Sequence, residues 1–215
     1  ITREVLKVLS KFNHPTAIVT KSHLILRDLD ILASMAERDL LSVGISVTTL
    51  ERRLSRIMEP RAPTPQRRLE TVRKLAEANI PVTVMLAPII PAINDHEIET
   101  VIAAAAEAGA CAADYILLRL PREVKKLFHE WLIAHYPDRA KKVLSLTAHY
   151  RKGNLYSSDW FKRMRGEGPY ADLLEKRFTL ACKRMNIGVE NARAPKLRTD
   201  VFQPTLQTLD QLSLF

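Results

Sequence analysis

Four stretches of this sequence place polar groups directly behind runs of β-branched and aliphatic residues. Thr20-Lys21-Ser22 follows Ala17-Ile18-Val19, and Ser46-Val47-Thr48-Thr49 closes a run from Ser42. Asn94-Asp95 ends Ala87-Pro88-Ile89-Ile90-Pro91-Ala92-Ile93, and Arg119-Leu120-Pro121 follows Tyr115 to Leu118. One lysine, one arginine, several hydroxyls and an Asn-Asp pair suit a small zwitterion or a nucleoside. Lys21 could pair with a carboxylate and the hydroxyls with ribose or carboxylate oxygens, while the backbone of 88–92 and 118–120 could meet a base edge. Singly, each residue is better read as a loop cap or a solvated strand end; their arrival at the same end of four successive strands is what points to a pocket. Weaker groups surround them. Glu59 and Arg61 flank Pro60, as a site or as a structural ion pair, and the six histidines (His14, His23, His96, His129, His135 and His149) show no ligand spacing. There is no glycine-rich phosphate loop, serine elbow or Cys-His pair.

These groups meet only if the segments carrying them run parallel, because ligands in parallel α/β folds sit at the carboxyl ends of the strands. Residues 15–21 form a short β-branched run behind the turn signal Asn13-His14-Pro15. Residues 24–38 follow with a helical apolar pattern, and 42–49 read as a second strand that puts Ser46 and Thr48 on one face and Ile45 and Val47 on the other. A proline-rich loop leads into a helix over 66–79, with Thr64-Pro65 as cap and first turn. A third strand over 81–90 precedes a helix over 95–108 stopped by Gly109, and a fourth strand over 114–120 precedes a helix from Pro121 to about 135. Strand starts at 15, 42, 81 and 114 suit βαβ crossovers. Beyond 136 come a basic helix over 138–149, an irregular stretch over 151–168 and an amphipathic helix over 169–186. Residues 188–215 carry little regular signal, although Val201, Phe202, Leu206, Leu209, Leu212, Leu214 and Phe215 could dock on the body.

The fold class is therefore α/β: an incomplete parallel (β/α) barrel of about four βα units with a helical, basic C-terminal extension. The predicted divisions are a partial barrel over 1–136, a basic helical extension over 137–187 and an irregular tail over 188–215. A full eight-stranded barrel takes roughly 250 residues, and the helix predicted over 1–12 implies a strand before it. At least one βα unit is expected upstream, which makes this chain a fragment.

Net charge narrows the partners. Residues 1–120 hold 15 Lys/Arg against 14 Asp/Glu, whereas 121–199 hold 18 against 8. An excess confined to the last third favours DNA or another nucleic acid, though a merely soluble basic surface has the same signature. Cys111 and Cys182 show neither a disulfide framework nor a metal-ligand spacing, and each is expected on an apolar helix face. No apolar run approaches the roughly 20 residues of a membrane span, so no membrane is expected and the expected location is the cytoplasm.

The segments Ile18-Val19-Thr20-Lys21, Ile45 to Thr49, Met58 to Pro65, Val84 to Pro91, Leu117 to Pro121 and Met164 to Tyr170, in that order and spacing, resemble the radical S-adenosylmethionine (SAM) superfamily. Within it they resemble the branch related to spore photoproduct lyase, also labelled DNA repair photolyase. The resemblance runs from Ile1 to about Met185. It implies a partial (β/α)₆ barrel holding SAM and a [4Fe–4S] cluster that together make a 5′-deoxyadenosyl radical. An electron donor such as flavodoxin or ferredoxin is implied as well. By resemblance, Lys21 and Ser46 contact the methionyl or ribose part of SAM with Thr48 assisting. The stretch from Ala87 and Pro88 to Pro91, and Leu118 and Arg119, line the adenine side.

One departure is large. The three cysteines of the family's CxxxCxxC loop are absent, as is its second-strand motif for the cofactor amine. The expectation is a parent radical enzyme, lyase-like and possibly acting on DNA photolesions, of which this chain alone binds no cluster and is not competent. Two alternatives stay open: a non-catalytic nucleic-acid-binding module, and a non-radical barrel enzyme for a phosphorylated metabolite, which predicts phosphate-binding glycines that the sequence lacks.

Overall fold

The computed structural model describes residues 1–151, 153, 163–189 and 196–203. The chain runs α1 (Thr2–Lys11), β1 (Thr16–Thr20), a 3₁₀ turn (His23–Asp28), α2 (Leu29–Ala36), β2 (Leu41–Ser46), α3 (Arg52–Met58) and α4 (Pro65–Glu77). It continues through β3 (Val82–Ile89), a second 3₁₀ turn (Asp95–Glu97), α5 (Ile98–Glu107), β4 (Ala112–Leu117), α6 (Val124–His135), α7 (Pro137–His149), α8 (Pro169–Arg184) and β5 (Gly188–Val189). The strands form one open sheet in the order β1-β2-β3-β4-β5, and every pair is parallel. The architecture is the expected α/β layering.

Five helix ends repeat one device. Asn13, Asp39, Asn79, Gly109 and Asn186 all take positive φ just past a helix and just before a strand. The next residue's N–H then reaches back to a carbonyl five residues earlier: His14 to Leu9, Leu40 to Met35, Ile80 to Leu75, Ala110 to Ala105 and Ile187 to Cys182, all at 2.9–3.1 Å. This closes the orphan carbonyls of each helix and turns the chain into the next strand. Asparagine and aspartate tolerate the left-handed region, but position 109 admits only glycine without strain. Its φ is 90°, and a Cβ there would lie 2.8 Å from Ala76 Cβ on α4.

Alternation divides the sheet into two faces. Val43, Ile45, Val84, Leu86, Tyr115 and Leu117 share a core with Leu32, Met35, Val72, Leu75, Ile102 and Phe178 from the flanking helices. On the other face a Cβ at Gly44 would touch Val19 Cγ2 at 3.2 Å and Met85 Cγ at 3.5 Å, so Val19, Gly44 and Met85 are neighbours there. A second core lies over the carboxyl ends of the strands. In it Leu54 of α3, Ile90, Ile93, Leu118 and Leu120 pack with Leu132, Ala140 and Val143 of α6 and α7.

Several boundaries differ from expectation. The predicted helix over 24–38 begins as a 3₁₀ turn, because Ser22 caps at Leu24 and the chain then folds again into α2. Pro121 does not open α6. It accepts the Val124 N–H in a turn that holds Arg122 at φ 40°. α3 and β5 were not anticipated, being seven and two residues long. In the tail, Val201 packs against the main core and the Gln203 N–H bonds Phe12 O. Leu206, Leu209, Leu212, Leu214 and Phe215 lie outside the described residues, as does most of the predicted irregular stretch. No helix among the described residues is long and apolar enough to cross a membrane.

Candidate functional site

Two buried polar hubs tie the carboxyl ends of the strands together. The first is Asn94, 3% exposed. Its Oδ1 accepts the Ile90 N–H at 2.6 Å, and its Nδ2 donates to Thr48 O at 2.7 Å and Pro88 O at 3.1 Å. One side-chain amide thus satisfies main-chain groups just beyond β2 and at the end of β3, where the β3–β4 register shifts.

The second hub is Arg68 on α4, 2% exposed. Its Nη1 donates to Ser46 O at 3.0 Å and its Nε to Pro63 O at 2.9 Å, while Nη2 meets Glu59 Oε2. The other carboxylate oxygen of Glu59 lies 3.1 Å from Lys21 Nζ. Thr48 Oγ1 donates to Ala87 O at 3.0 Å and lies 3.4 Å from Glu59 Oε1. A buried guanidinium requires both a matched charge and filled donors, and this network supplies them. Glu97 adds a third tie by accepting from the Leu50 N–H at 3.1 Å and from the Thr49 hydroxyl.

The eight predicted cofactor residues fall along this rim from β1 to β4. Lys21 stands just past β1 and is 40% exposed, while Ser46 ends β2 and Thr48 lies two residues on, both 6% exposed. Ala87 and Pro88 are half-buried in the last turn of β3, and Pro91 is buried in the following loop. Leu118 lies in the second core; its N–H donates to Ile89 O at 2.9 Å and its carbonyl accepts the Tyr150 hydroxyl at 3.1 Å. Arg119 Nη1 lies 3.4 Å from Met164 Sδ. An ion pair and hydrogen bonds connect Lys21, Glu59, Thr48 and Ala87 into one group, and Leu118 bonds to Ile89, two residues beyond Ala87 on the same strand.

Lys21 pairs with Glu59 of its own chain rather than standing free for a ligand carboxylate. Glu59 pairs across the loop with Arg68, and Arg61 is not its partner. The Ser46 hydroxyl, by contrast, makes no hydrogen bond to another described residue. A nearly buried donor left open at the end of a central strand fits a hydroxyl-bearing or carboxylate ligand. Sequence reasoning passed over Arg68. Its signal was position: it shares the buried stripe of α4 with Thr71, Val72 and Leu75, where a charge must find a partner.

The cysteines sit at the opposite end of the sheet. Cys111 is not on a helix. It precedes β4, with its N–H on Val82 O at 3.0 Å and its carbonyl accepting from the Gly188 N–H at 2.9 Å. Cys182 is buried near the end of α8. Burial pushes the Cys182 thiol up to about 11 and raises that of Cys111 as well. Cluster ligation needs thiolates, so both shifts oppose it. Among the described residues no group of three or more His, Cys, Asp or Glu is placed to hold a metal ion. The residues present do not fit an iron–sulfur cluster.

The Radical SAM superfamily model matches residues 1–105, the stretch that carries β1 to β3 and both hubs. Residues 1–105 are thus similar to the radical SAM superfamily. An uncharacterized protein of Mycobacterium tuberculosis is 29% identical over 151 residues, covering 69% of this chain and 44% of that protein. Among solved structures, a spore photoproduct lyase variant with bound AdoMet and dinucleoside spore photoproduct superposes with TM-score 0.56 at 17% identity, over 87% of this chain and 54% of the lyase. Streptococcus suis SuiB bound to S-adenosylmethionine gives 0.52 at 13% identity, over 87% of this chain and 35% of SuiB. The chain thus spans about half the length, or less, of these proteins, and shares with the two solved structures their fold.

Proposed function

We propose that these 215 residues are the SAM-holding side of a radical SAM enzyme whose chemistry resembles that of spore photoproduct lyase and whose substrate is a nucleic acid. One observation carries the reading: inside the matched stretch, the open Ser46 hydroxyl and the Lys21–Glu59 pair stand together at the carboxyl rim, where parallel α/β folds bind ligands. Ser46 would hydrogen-bond the ribose or methionyl carboxylate, with Lys21 beside it and Thr48 fixing the local backbone. Ala87, Pro88 and Pro91, with Leu118 and Arg119, would flank the adenine. Bound there, SAM would supply the 5′-deoxyadenosyl group, released as a radical together with methionine when one electron from a reduced cluster held outside these residues cleaves the sulfonium C–S bond. The cluster thiolates are assigned to residues outside these 215, and the chain by itself is not expected to turn over.

The basic excess over 121–199 supports a polyanionic substrate, as does the dinucleoside photoproduct bound by the similar lyase. Calorimetric titration with SAM and S-adenosylhomocysteine tests the rim. Binding that falls at least about tenfold in Ser46→Leu is expected from a lost hydrogen bond plus a filled site. A folded chain that binds neither compound, or a Ser46→Leu chain that binds both unchanged, would sink the assignment. Anaerobic reconstitution with iron and sulfide should give no stoichiometric cluster, and one that forms would overturn the placing of its ligands elsewhere.

A further inference from the structure

A cleft of about 640 Å³ opens beside the rim, between α3 and the loop that follows it. It is lined by Arg52, Arg53, Arg56, Ile57, Glu59 and Thr64, among others. Its three arginines are exposed, and none forms an ion pair with a carboxylate among the described residues. The carboxylate that does line the cleft does not neutralise them, because the two oxygens of Glu59 are taken by Lys21 and Arg68. Arg52 and Arg56 are four apart and so rise from the same side of α3. Arg53 lies over the Tyr136 ring at 6.0 Å, which leaves a guanidinium and an aromatic face side by side.

The helix that lines the cleft, α3, is tied to the basic helices α6 and α7. The Trp131 indole N–H donates to Ile57 O at 3.1 Å, tying α6 directly onto α3. α6 and α7 carry Lys125, Lys126, Arg139, Lys141 and Lys142. A single small phosphate would be met by converging backbone N–H groups or a glycine-rich loop, and the sequence has no such loop. Three exposed guanidinia, one of them over an aromatic ring, suit a chain of phosphates instead.

We infer that the Arg52–Arg53–Arg56 cleft is a subsite for the phosphodiester backbone of a nucleic acid, leading it from α6–α7 toward the SAM rim. This rests on the nucleic-acid reading above and adds a site in a stretch whose overall charge is near neutral. Glu59, shared by cleft and rim, would mark the point where backbone recognition meets the cofactor side.

The test is fluorescence anisotropy of a labelled single-stranded dodecanucleotide on the 215-residue chain across a salt series. It compares the parent chain, an R52Q/R53Q/R56Q variant and a K125Q/K126Q/K141Q/K142Q variant, each checked for folding by circular dichroism. The arginine variant should bind at least about tenfold more weakly. Its log K against log salt slope should fall by roughly 2, since each single-strand phosphate contact contributes roughly 0.7. An arginine variant that binds like the parent while the lysine variant loses binding removes the cleft and leaves the nucleic-acid reading standing. A parent chain that binds no oligonucleotide at low salt removes both. Tripolyphosphate that binds the parent more tightly than the oligonucleotide, and loses that binding in the arginine variant, overturns the backbone assignment in favour of a compact phosphate ligand.

Discussion

Arg68 and Glu59 form an ion pair across the α3–α4 loop in which the guanidinium is 2% exposed and the carboxylate 14%. Lys21 shares the same carboxylate from the open side, at 3.1 Å and 40% exposed. The two cations are therefore unequal partners. Removing the carboxylate in Glu59→Gln strands a buried charge and should cost about 3 kcal/mol or more in urea unfolding. Lys21→Met removes a half-exposed partner and should cost no more than about 1 kcal/mol. Equal losses would contradict this hierarchy.

Asn94 is the second point of failure. Asn94→Leu leaves the Ile90 N–H and the carbonyls of Thr48 and Pro88 without their partner. Each orphaned buried group costs roughly 1–3 kcal/mol, so a loss of about 3 kcal/mol or more is expected. Hydrogen exchange should show the Ile90 amide losing protection before amides in the middle of β2. A variant as stable as the parent would mean that the rim relaxes to satisfy itself.

Thiol chemistry should separate the two cysteines. Cys182 is buried and its thiol is pushed up to about 11, so at pH 8 it is almost wholly protonated and enclosed. Cys111 is exposed, with a thiol raised by partial burial of the sulfur, which lies 3.3 Å from Val82 O. Iodoacetamide followed by mass spectrometry should label Cys111 slowly in the folded chain and Cys182 only in denaturant. Prompt labelling of Cys182 under native conditions would show that α8 is not docked.

Acid should loosen α8 from α5. Arg177 holds the Glu99 carboxyl below its ordinary value of 4.5 through paired hydrogen bonds at 2.8 and 2.6 Å. A depressed carboxylate contributes stability that is complete above its unfolded value and is lost as pH falls through the folded one. The urea midpoint should therefore drop below pH 4.5 more steeply in the parent than in Arg177→Met. The difference should stay within about 1 kcal/mol, because the pair is partly solvated. Parallel curves would assign the acid sensitivity to other carboxylates.

The local half of this molecule is legible in its sequence. The apolar runs of β2 to β4, the Thr64 cap with Pro65 and the stop at Gly109 each rest on residues within one turn of one another. Asn13, Asp39, Asn79 and Asn186 perform the same stop, but asparagine and aspartate also suit ordinary turns, so the repeat is visible only once the five reverse bonds are seen together. What was not legible depends on distance along the chain. Arg68 finds Ser46 O 22 residues away, and Asn94 finds Thr48 O 46 away. The short α3 has too few apolar positions, Leu54, Ile57 and Met58, to announce a helix, yet it brings in the arginines of the cleft. The candidate rim residues could be named because strand ends are predictable. Their wiring could not, because it is made by side chains that arrive from helices and loops.

Both hubs grip the main chain. Arg68 holds the carbonyls of Ser46 and Pro63, and Asn94 holds those of Thr48 and Pro88 together with the Ile90 N–H. The shape of the rim is thus set by atoms every residue possesses. The side chain at 46 can be exchanged without disturbing the frame that presents it, provided Thr48, Arg68, Glu59 and Asn94 stay in place. Such a scaffold tolerates divergence where specificity is decided and resists it where the frame is held, so descendants of one sequence can take up new substrates without first having to refold.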